Sequence, residues 1–263
     1  MYATNYKKAS SVADAAKAIA GADEGKLLAG GMTLLPTLKQ RLASSDCLVD
    51  LADCGINGIS DEGSALRIGA MTRHVEVETS DLVAKAIPAL AQLAGGIGDR
   101  QVRNRGTIGG SVANNDPAAC YPSAVLALGG TVHTSKRDVA AEDFFVDMFE
   151  TALDDDEIIE AVSLPKPEAA AYVKFPNPAS RYAMVGVFVA RFADGVRVAV
   201  TGAGQNGVFR HKGLEDALSS NFSPDAVDGV SISGDELMTD IHASADYRAH
   251  LIAEMTRRAV SAC

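Results

Sequence analysis

The sequence predicts an α+β protein whose helices and strands fall into two regions of different texture. Three observations carry this. A short apolar run, Lys26-Leu27-Leu28-Ala29, enters Gly30-Gly31 and then a helical pattern, which makes a strand, a glycine turn and a helix. Prolines 165, 167, 176 and 178 crowd one stretch, and the main boundary is expected there. Beyond it, the runs Val185 to Phe192 and Val196 to Thr201 are joined by Ala193-Asp194-Gly195, a hairpin signal. At 263 residues the chain is long enough for one large domain or two smaller ones.

Taken in order, Ser11 and Asp14 open a helix in the manner of a capping box, and Val12, Ala15, Ala16 and Ile19 share one face of it through Ala20. Thr33 is placed to cap a second helix through about Leu42, with Pro36 tolerated in its first turn. Strands are expected near Cys47 to Leu51 and Leu66 to Ala70. A helix should run from about Asp81 to Ala94, carrying Leu82, Ala86, Leu90 and Leu93. The stretch from Gly95 to Ser111 holds six glycines and three arginines, a composition hard to reconcile with a plain helix or strand. A helix from about Pro117 to Leu128, strands at Thr131 to Thr134 and Ile158 to Leu164, and a closing helix with Tyr247, Leu251, Met255 and Ala259 on one face complete the reading.

Composition excludes several classes. With 47% hydrophobic and 22% charged residues the chain reads as a soluble globular protein. No run approaches the roughly 20 apolar residues of a membrane span, and MYATNYKKAS lacks the apolar core of a signal peptide, so a cytoplasmic protein is expected. A formal charge of -10 argues against nucleic acid or an anionic membrane as partner. Cys47, Cys54, Cys120 and Cys263 form no CxxC pair, which is wrong for a zinc ribbon or an iron-sulfur cluster and reads as structural. The five histidines stand apart in sequence, and the acidic run Asp154 to Glu157 reads as a solvated turn. No nucleophile elbow, zinc-protease motif or P-loop is present. Any chemistry is therefore expected to belong to a bound cofactor.

Gly202-Ala203-Gly204-Gln205-Asn206-Gly207 is a literal GxGxxG. Its preceding strand alternates, which marks a half-exposed antiparallel strand and not the buried parallel strand of a dinucleotide fold, so a turn between strands is expected. Gly30-Gly31 is better placed, since glycines ahead of a helix let a phosphate approach backbone N–H groups. Thr107-Ile108-Gly109-Gly110-Ser111 offers a second such turn, with Arg100, Arg103 and Arg105 just upstream. Two glycine turns suit a ligand with a diphosphate and two ring systems. The plainer alternative is that the arginines are solvated and the glycines only close turns.

The segments LLAGGMTLLPTLKQRL (Leu27 to Leu42) and RGTIGGSVANNDPAACYPSAVLAL (Arg105 to Leu128) resemble the two FAD-binding motifs of the flavoprotein subunits of the molybdenum hydroxylases, the carbon monoxide and xanthine dehydrogenase family. KFPNPASRYAMVGV, VRVAVTGAGQNG and DIHASADYRAHLIAEMTRRAV resemble the C-terminal domain of the same proteins. The resemblance implies a two-lobed FAD-binding domain of the vanillyl-alcohol oxidase (PCMH) type over residues 1–167, with lobes of about 1–54 and 55–167. A small C-terminal domain of antiparallel sheet and helix follows over 168–263.

By the same resemblance Ala29, Gly30, Gly31, Met32 and Thr33, with Thr107, Ile108, Gly109, Gly110 and Ser111, embrace the FAD diphosphate. Lys26, Leu27, Leu28 and Leu34 complete the first loop, and Ala113 and Asn114 extend the second. Ile97 packs near a ring, Ile159 and Lys174 approach from later strands, and Tyr182 lies near the isoalloxazine. Cys120 and Ser111 stand where the family often has Asp and usually Asn or Asp, so polar contacts there are expected to be rearranged.

The function implied is a non-covalent FAD-binding electron-transfer subunit that takes electrons from a 2Fe-2S partner subunit and passes them to an external acceptor. Hydroxylation would occur on a large molybdopterin subunit, in a dimer of heterotrimers. No catalytic or metal-binding residue is expected in this chain. The alternatives are a free-standing NAD-dependent dehydrogenase using the Gly202 to Gly207 motif and a flavin-binding protein without turnover.

Overall fold

The computed structural model describes residues 1–263. Its N-terminal unit comprises β1 (Asn5–Lys8), α1 (Val12–Ala20), β2 (Lys26–Leu28), α2 (Leu34–Lys39) and β3 (Cys47–Asp50). The three strands form a parallel sheet in the order β1-β3-β2, as helical crossovers require. Ser11 Oγ accepts from the Asp14 amide, and Ala15 and Ile19 pack on Val49 and Leu51. The second helix departs from expectation. Thr33 is itself helical and makes no side-chain cap, because the turn already begins with Leu35 N–H donating to the Gly31 carbonyl. The helix stops at Lys39, and Arg41 follows at φ +59°.

The second unit runs through β4 (Ile59–Asp61), β5 (Ala65–Gly69), α3 (His74–Glu78), α4 (Asp81–Ala86), α5 (Pro88–Gly95), α6 (Arg100–Arg105), α7 (Ile108–Asn114) and α8 (Tyr121–Ala127). It continues with β6 (Thr131–Thr134), β7 (Asp138–Ala140), α9 (Ala141–Phe144), β8 (Phe145–Asp147), β9 (Glu150–Thr151) and β10 (Ile159–Pro165). Five strands make an antiparallel sheet in the order β4-β5-β10-β6-β7. Its core joins Leu66, Ile68 and Val162 of the sheet to Leu90, Leu93, Ile108 and Tyr121 of the helices.

Two expectations are corrected here. The single helix over residues 81–94 is two, because Pro88 drives Ile87 out of the helical region to φ -143°, ψ 71°. The glycine-rich stretch is not irregular. It holds α6 and α7, whose first turns are capped by the side chains of Asp99 and Thr107.

The C-terminal unit comprises β11 (Ala169–Pro176), β12 (Ala183–Phe192), β13 (Gly195–Gly204), β14 (Gly207–Arg210), α10 (Lys212–Ser220), a 3-10 turn (Pro224–Gly229) and α11 (Ala245–Ala262). The strands follow the antiparallel order β11-β12-β13-β14. One face, with Val187, Val189, Val198 and Val200, packs on Leu214, Leu251 and Met255 of the helices. The other face, with Phe188, Ala190 and Ala199, joins the core of the second unit. The strand before the GxGxxG motif is thus antiparallel, but it is buried on both sides for most of its length and not half-exposed. No helix is long and apolar enough to cross a membrane.

Candidate functional site

A cavity of about 480 Å³ lies where the three units meet. Apart from Leu28 and Ile108, every residue to which the sequence assigns a site role lines it. Those two lie outside the lining: Leu28 is buried, and Ile108 is a fully buried member of the second unit's core. The fold therefore gathers residues from β2, the loop after it, α7, β10, β11 and the β11–β12 connection.

The first glycine turn forms one wall. Backbone N–H groups of Ala29, Gly30, Gly31, Met32 and Thr33 have no acceptor within the chain, so five consecutive donors are left for a ligand. Gly31 makes this possible with φ +75°, a conformation that turns the chain out of β2. Such a row of amides is suited to phosphate oxygens.

The second glycine turn works differently from expectation. Its amides are not free: Ile108 N–H donates to Thr72 O at 3.0 Å, Gly109 to Ala70 O at 2.9 Å and Ser111 to Thr107 O at 3.0 Å. Gly110 N–H donates to Thr107 Oγ1 at 3.2 Å. The first two bonds fasten α7 to the segment after β5 and the others close its own first turn, and a Cβ on Gly109 would lie 2.5 Å from the Ala70 Cβ. The contribution of this turn is closeness, together with the Ser111 and Thr107 side chains at the cavity. A Cβ on Gly110 would lie 3.3 Å from the Ala29 Cβ, so the two turns are in contact.

The arginines do not reach the cavity. Arg103 pairs with Glu78 at 2.8 Å and donates to Ile97 O at 3.1 Å, while Arg100 and Arg105 are exposed. Positive charge at the wall comes instead from Lys26, Arg181 and Lys174; the Lys174 Nζ donates to Gly96 O at 2.7 Å and Arg181 O at 3.0 Å and lies 3.6 Å from Cys120 Sγ. Tyr182, 46% exposed, stands at the mouth, and burial and then the nearby Asp116 and Cys120 raise its phenol above the usual range. Burial likewise raises the Asp116 carboxyl, against one hydrogen bond from Ala118 N–H.

Sequence reasoning missed several lining residues, among them His74, Asp116, Glu157 and Arg181. Glu157 was read with its acidic neighbours as a solvated turn. Asp154 and Asp156 do face solvent and bind Lys136, but the Glu157 side chain is buried. It accepts from Arg137 Nε at 3.1 Å, Thr134 Oγ1 at 2.6 Å and Asp154 N–H at 3.0 Å. Burial alone would raise this carboxyl, yet those donors win and hold it at about 2. Its place directly before the apolar pair Ile158-Ile159 was the available signal. The GxGxxG motif lies outside the cavity, where the end of β13 turns through Gln205 and Asn206 into β14, so the dehydrogenase reading loses its phosphate site.

Five free amides, a tight glycine contact and apolar walls at Leu27, Leu34, Ile97 and Ile158 fit a diphosphate that joins flat rings. Comparison with known proteins agrees. Residues 2–167 match the family described as FAD binding domain in molybdopterin dehydrogenase. The chain is similar to the nicotine 6-hydroxylase medium subunit of Paenarthrobacter nicotinovorans, with 35% identity over 98% of this chain and 96% of that protein. It is 32% identical to the carbon monoxide dehydrogenase medium chain of Hydrogenophaga pseudoflava, over 91% of this chain and 89% of that one. The solved carbon monoxide dehydrogenase from H. pseudoflava that lacks the Mo-pyranopterin moiety superposes with a TM-score of 0.89 at 31% identity, covering 99% of this chain and 96% of that one. The match of residues 2–167 to the FAD-binding family model and the fold shared over nearly the whole length with these medium subunits place the chain in the family of FAD-binding medium subunits of molybdenum hydroxylases.

Proposed function

We propose that this chain carries electrons within such an enzyme, with FAD held non-covalently in the cavity. The observation that supports this best is the run of unpaired amides from Ala29 to Thr33 facing the start of α7. Bound FAD supplies a redox centre able to accept and give up electrons. The residues of the chain bind and orient it. The amides of the first turn meet the diphosphate, Thr107, Gly109, Gly110 and Ser111 let it approach α7, and Ala113 and Asn114 extend that contact. Lys26, Leu27 and Ile159 flank one ring system, and Ile97, Cys120, Lys174 and Tyr182 flank the other. Leu28 and Ile108 support these walls from behind.

The same reading divides the chain into a FAD-binding part over 1–167, with lobes of about 1–54 and 55–167, and a C-terminal domain over 168–263. The chain has no clustered cysteines for an iron-sulfur centre, so the electrons come from a small 2Fe-2S partner subunit. A large molybdopterin subunit performs the hydroxylation, and NAD, a quinone or oxygen takes the electrons from FAD. The assembly is a dimer of heterotrimers in the cytoplasm.

Size-exclusion chromatography of the native enzyme tests this. Flavin, iron and molybdenum should elute together with this chain and two others. A monomer with full substrate turnover would overturn the proposal.

A further inference from the structure

One lining residue is left with its chemistry unspent. His74 opens α3, is 5% exposed and lines the cavity. Its Nδ1 is sealed and has no hydrogen-bond partner, whereas Nε2 is not sealed and makes no bond within the chain. The ring cannot swing away. Its backbone N–H donates to Gly106 O at 2.9 Å, and the Tyr121 ring lies against it at 5.2 Å between centroids. A Cβ on Gly106 would come within 2.5 Å of Nε2, so that glycine leaves the space the imidazole fills.

We propose that His74 donates a hydrogen bond from Nε2–H to an acceptor atom of the bound FAD. The inference rests on the reading of the cavity as a FAD site. Burial and then the Arg103 charge lower the His74 pKa to about 4, so the ring is neutral at physiological pH and carries one proton. On Nδ1 that proton would be a sealed N–H without an acceptor, an arrangement folded proteins avoid. On Nε2 it faces the cavity at the junction of the two glycine turns, where Arg105 O meets Gly30 and Gly106 meets the imidazole. The site thus carries a neutral donor in addition to its row of backbone amides.

The test is titration of the flavin-free full chain with FAD, followed by quenching of flavin fluorescence, for wild type, His74→Phe and His74→Gln. Phe keeps a flat ring against Tyr121 and removes the donor, while Gln restores an N–H. The Phe variant should bind at least about tenfold more weakly and the Gln variant within about threefold of wild type. Wild-type affinity in a folded Phe variant, or equal losses in both variants, would overturn the inference. If wild type binds no FAD, the reading of the cavity itself fails. Should the Phe variant not fold by circular dichroism, the wild type decides: saturating FAD should slow carbethoxylation of His74, mapped by mass spectrometry. An unchanged rate would overturn the inference.

Discussion

Gly30 packs directly on the backbone of Arg105: a Cβ at position 30 would lie 2.1 Å from the Arg105 carbonyl oxygen and 2.7 Å from the Gly106 Cα. Two segments some 75 residues apart in sequence therefore meet main chain to main chain, and this contact closes one end of the cavity.

Gly30→Ala should separate the two turns, because the atoms it strikes are backbone and cannot swing aside. A loss of about 1–3 kcal/mol is expected from such overpacking, together with loss of FAD binding. Gly229→Ala, where an added Cβ meets nothing within 4 Å, should leave both unchanged. Thermal melts and flavin content of the two variants check this.

Lys174→Met should loosen the join between β11 and the loop after α5. The substitution removes the Nζ donor that Gly96 O and Arg181 O now share, at an exposed place where water can take over both carbonyls. A cost of about 0.5–1.5 kcal/mol is expected for the lost bonds. Denaturant unfolding measures it, and an unchanged midpoint would contradict the bridging role.

Glu157 predicts a pH dependence of stability. Burial raises its carboxyl, but the bonds from Arg137, Thr134 and the Asp154 amide hold it at about 2, below the ordinary 4.5. A carboxyl depressed in the folded state contributes stability that is present above its ordinary value and is lost as the pH falls toward its folded one. The difference in melting temperature between wild type and Glu157→Gln should therefore be largest at neutral pH and shrink on acidification from about pH 4.5 toward 2. A difference that stays constant across that range would contradict the assignment.

Acid precipitation should release the flavin into the supernatant. No histidine or cysteine lies within Ala29 to Thr33 or Thr107 to Ser111, although Cys120 lies close by on the cavity wall. Yellow colour that stays with the pellet would point to a covalent link, with Cys120 as the first residue to map.

Much of the site was legible because both glycine turns are contiguous motifs. His74 and Glu157 were not, since each acts alone and only the fold brings it to the cavity. The glycines at positions 106, 109 and 110 hid α6 and α7. They serve close packing against His74, Ala70 and Ala29, and the caps at Asp99 and Thr107 offset their poor helix propensity. Prolines masked β11 for a related reason: it is an edge strand, where Pro176 at its end breaks no central ladder. The glycines of GxGxxG, set aside as a dinucleotide signature on the alternation of the strand before them, also serve packing. A Cβ on Gly202 would come within 2.4 Å of Ala183 O and one on Gly204 within 2.5 Å of Gly207 O, so they are demanded by the sheet and its hairpin.

The most direct measurement is bound FAD per chain in purified wild type, Gly110→Val and Gly204→Val, with circular dichroism to confirm folding. Gly110 is helical, so backbone conformation does not exclude Val. The obstacle is the space between Thr107 Oγ1, 2.9 Å from an added Cβ, and the Ala29 Cβ at 3.3 Å. Wild type should carry close to one FAD, Gly110→Val almost none, and Gly204→Val as much as wild type with a lower melting temperature. Full FAD in Gly110→Val together with its loss from folded Gly204→Val would contradict the placement of the cofactor in this cavity.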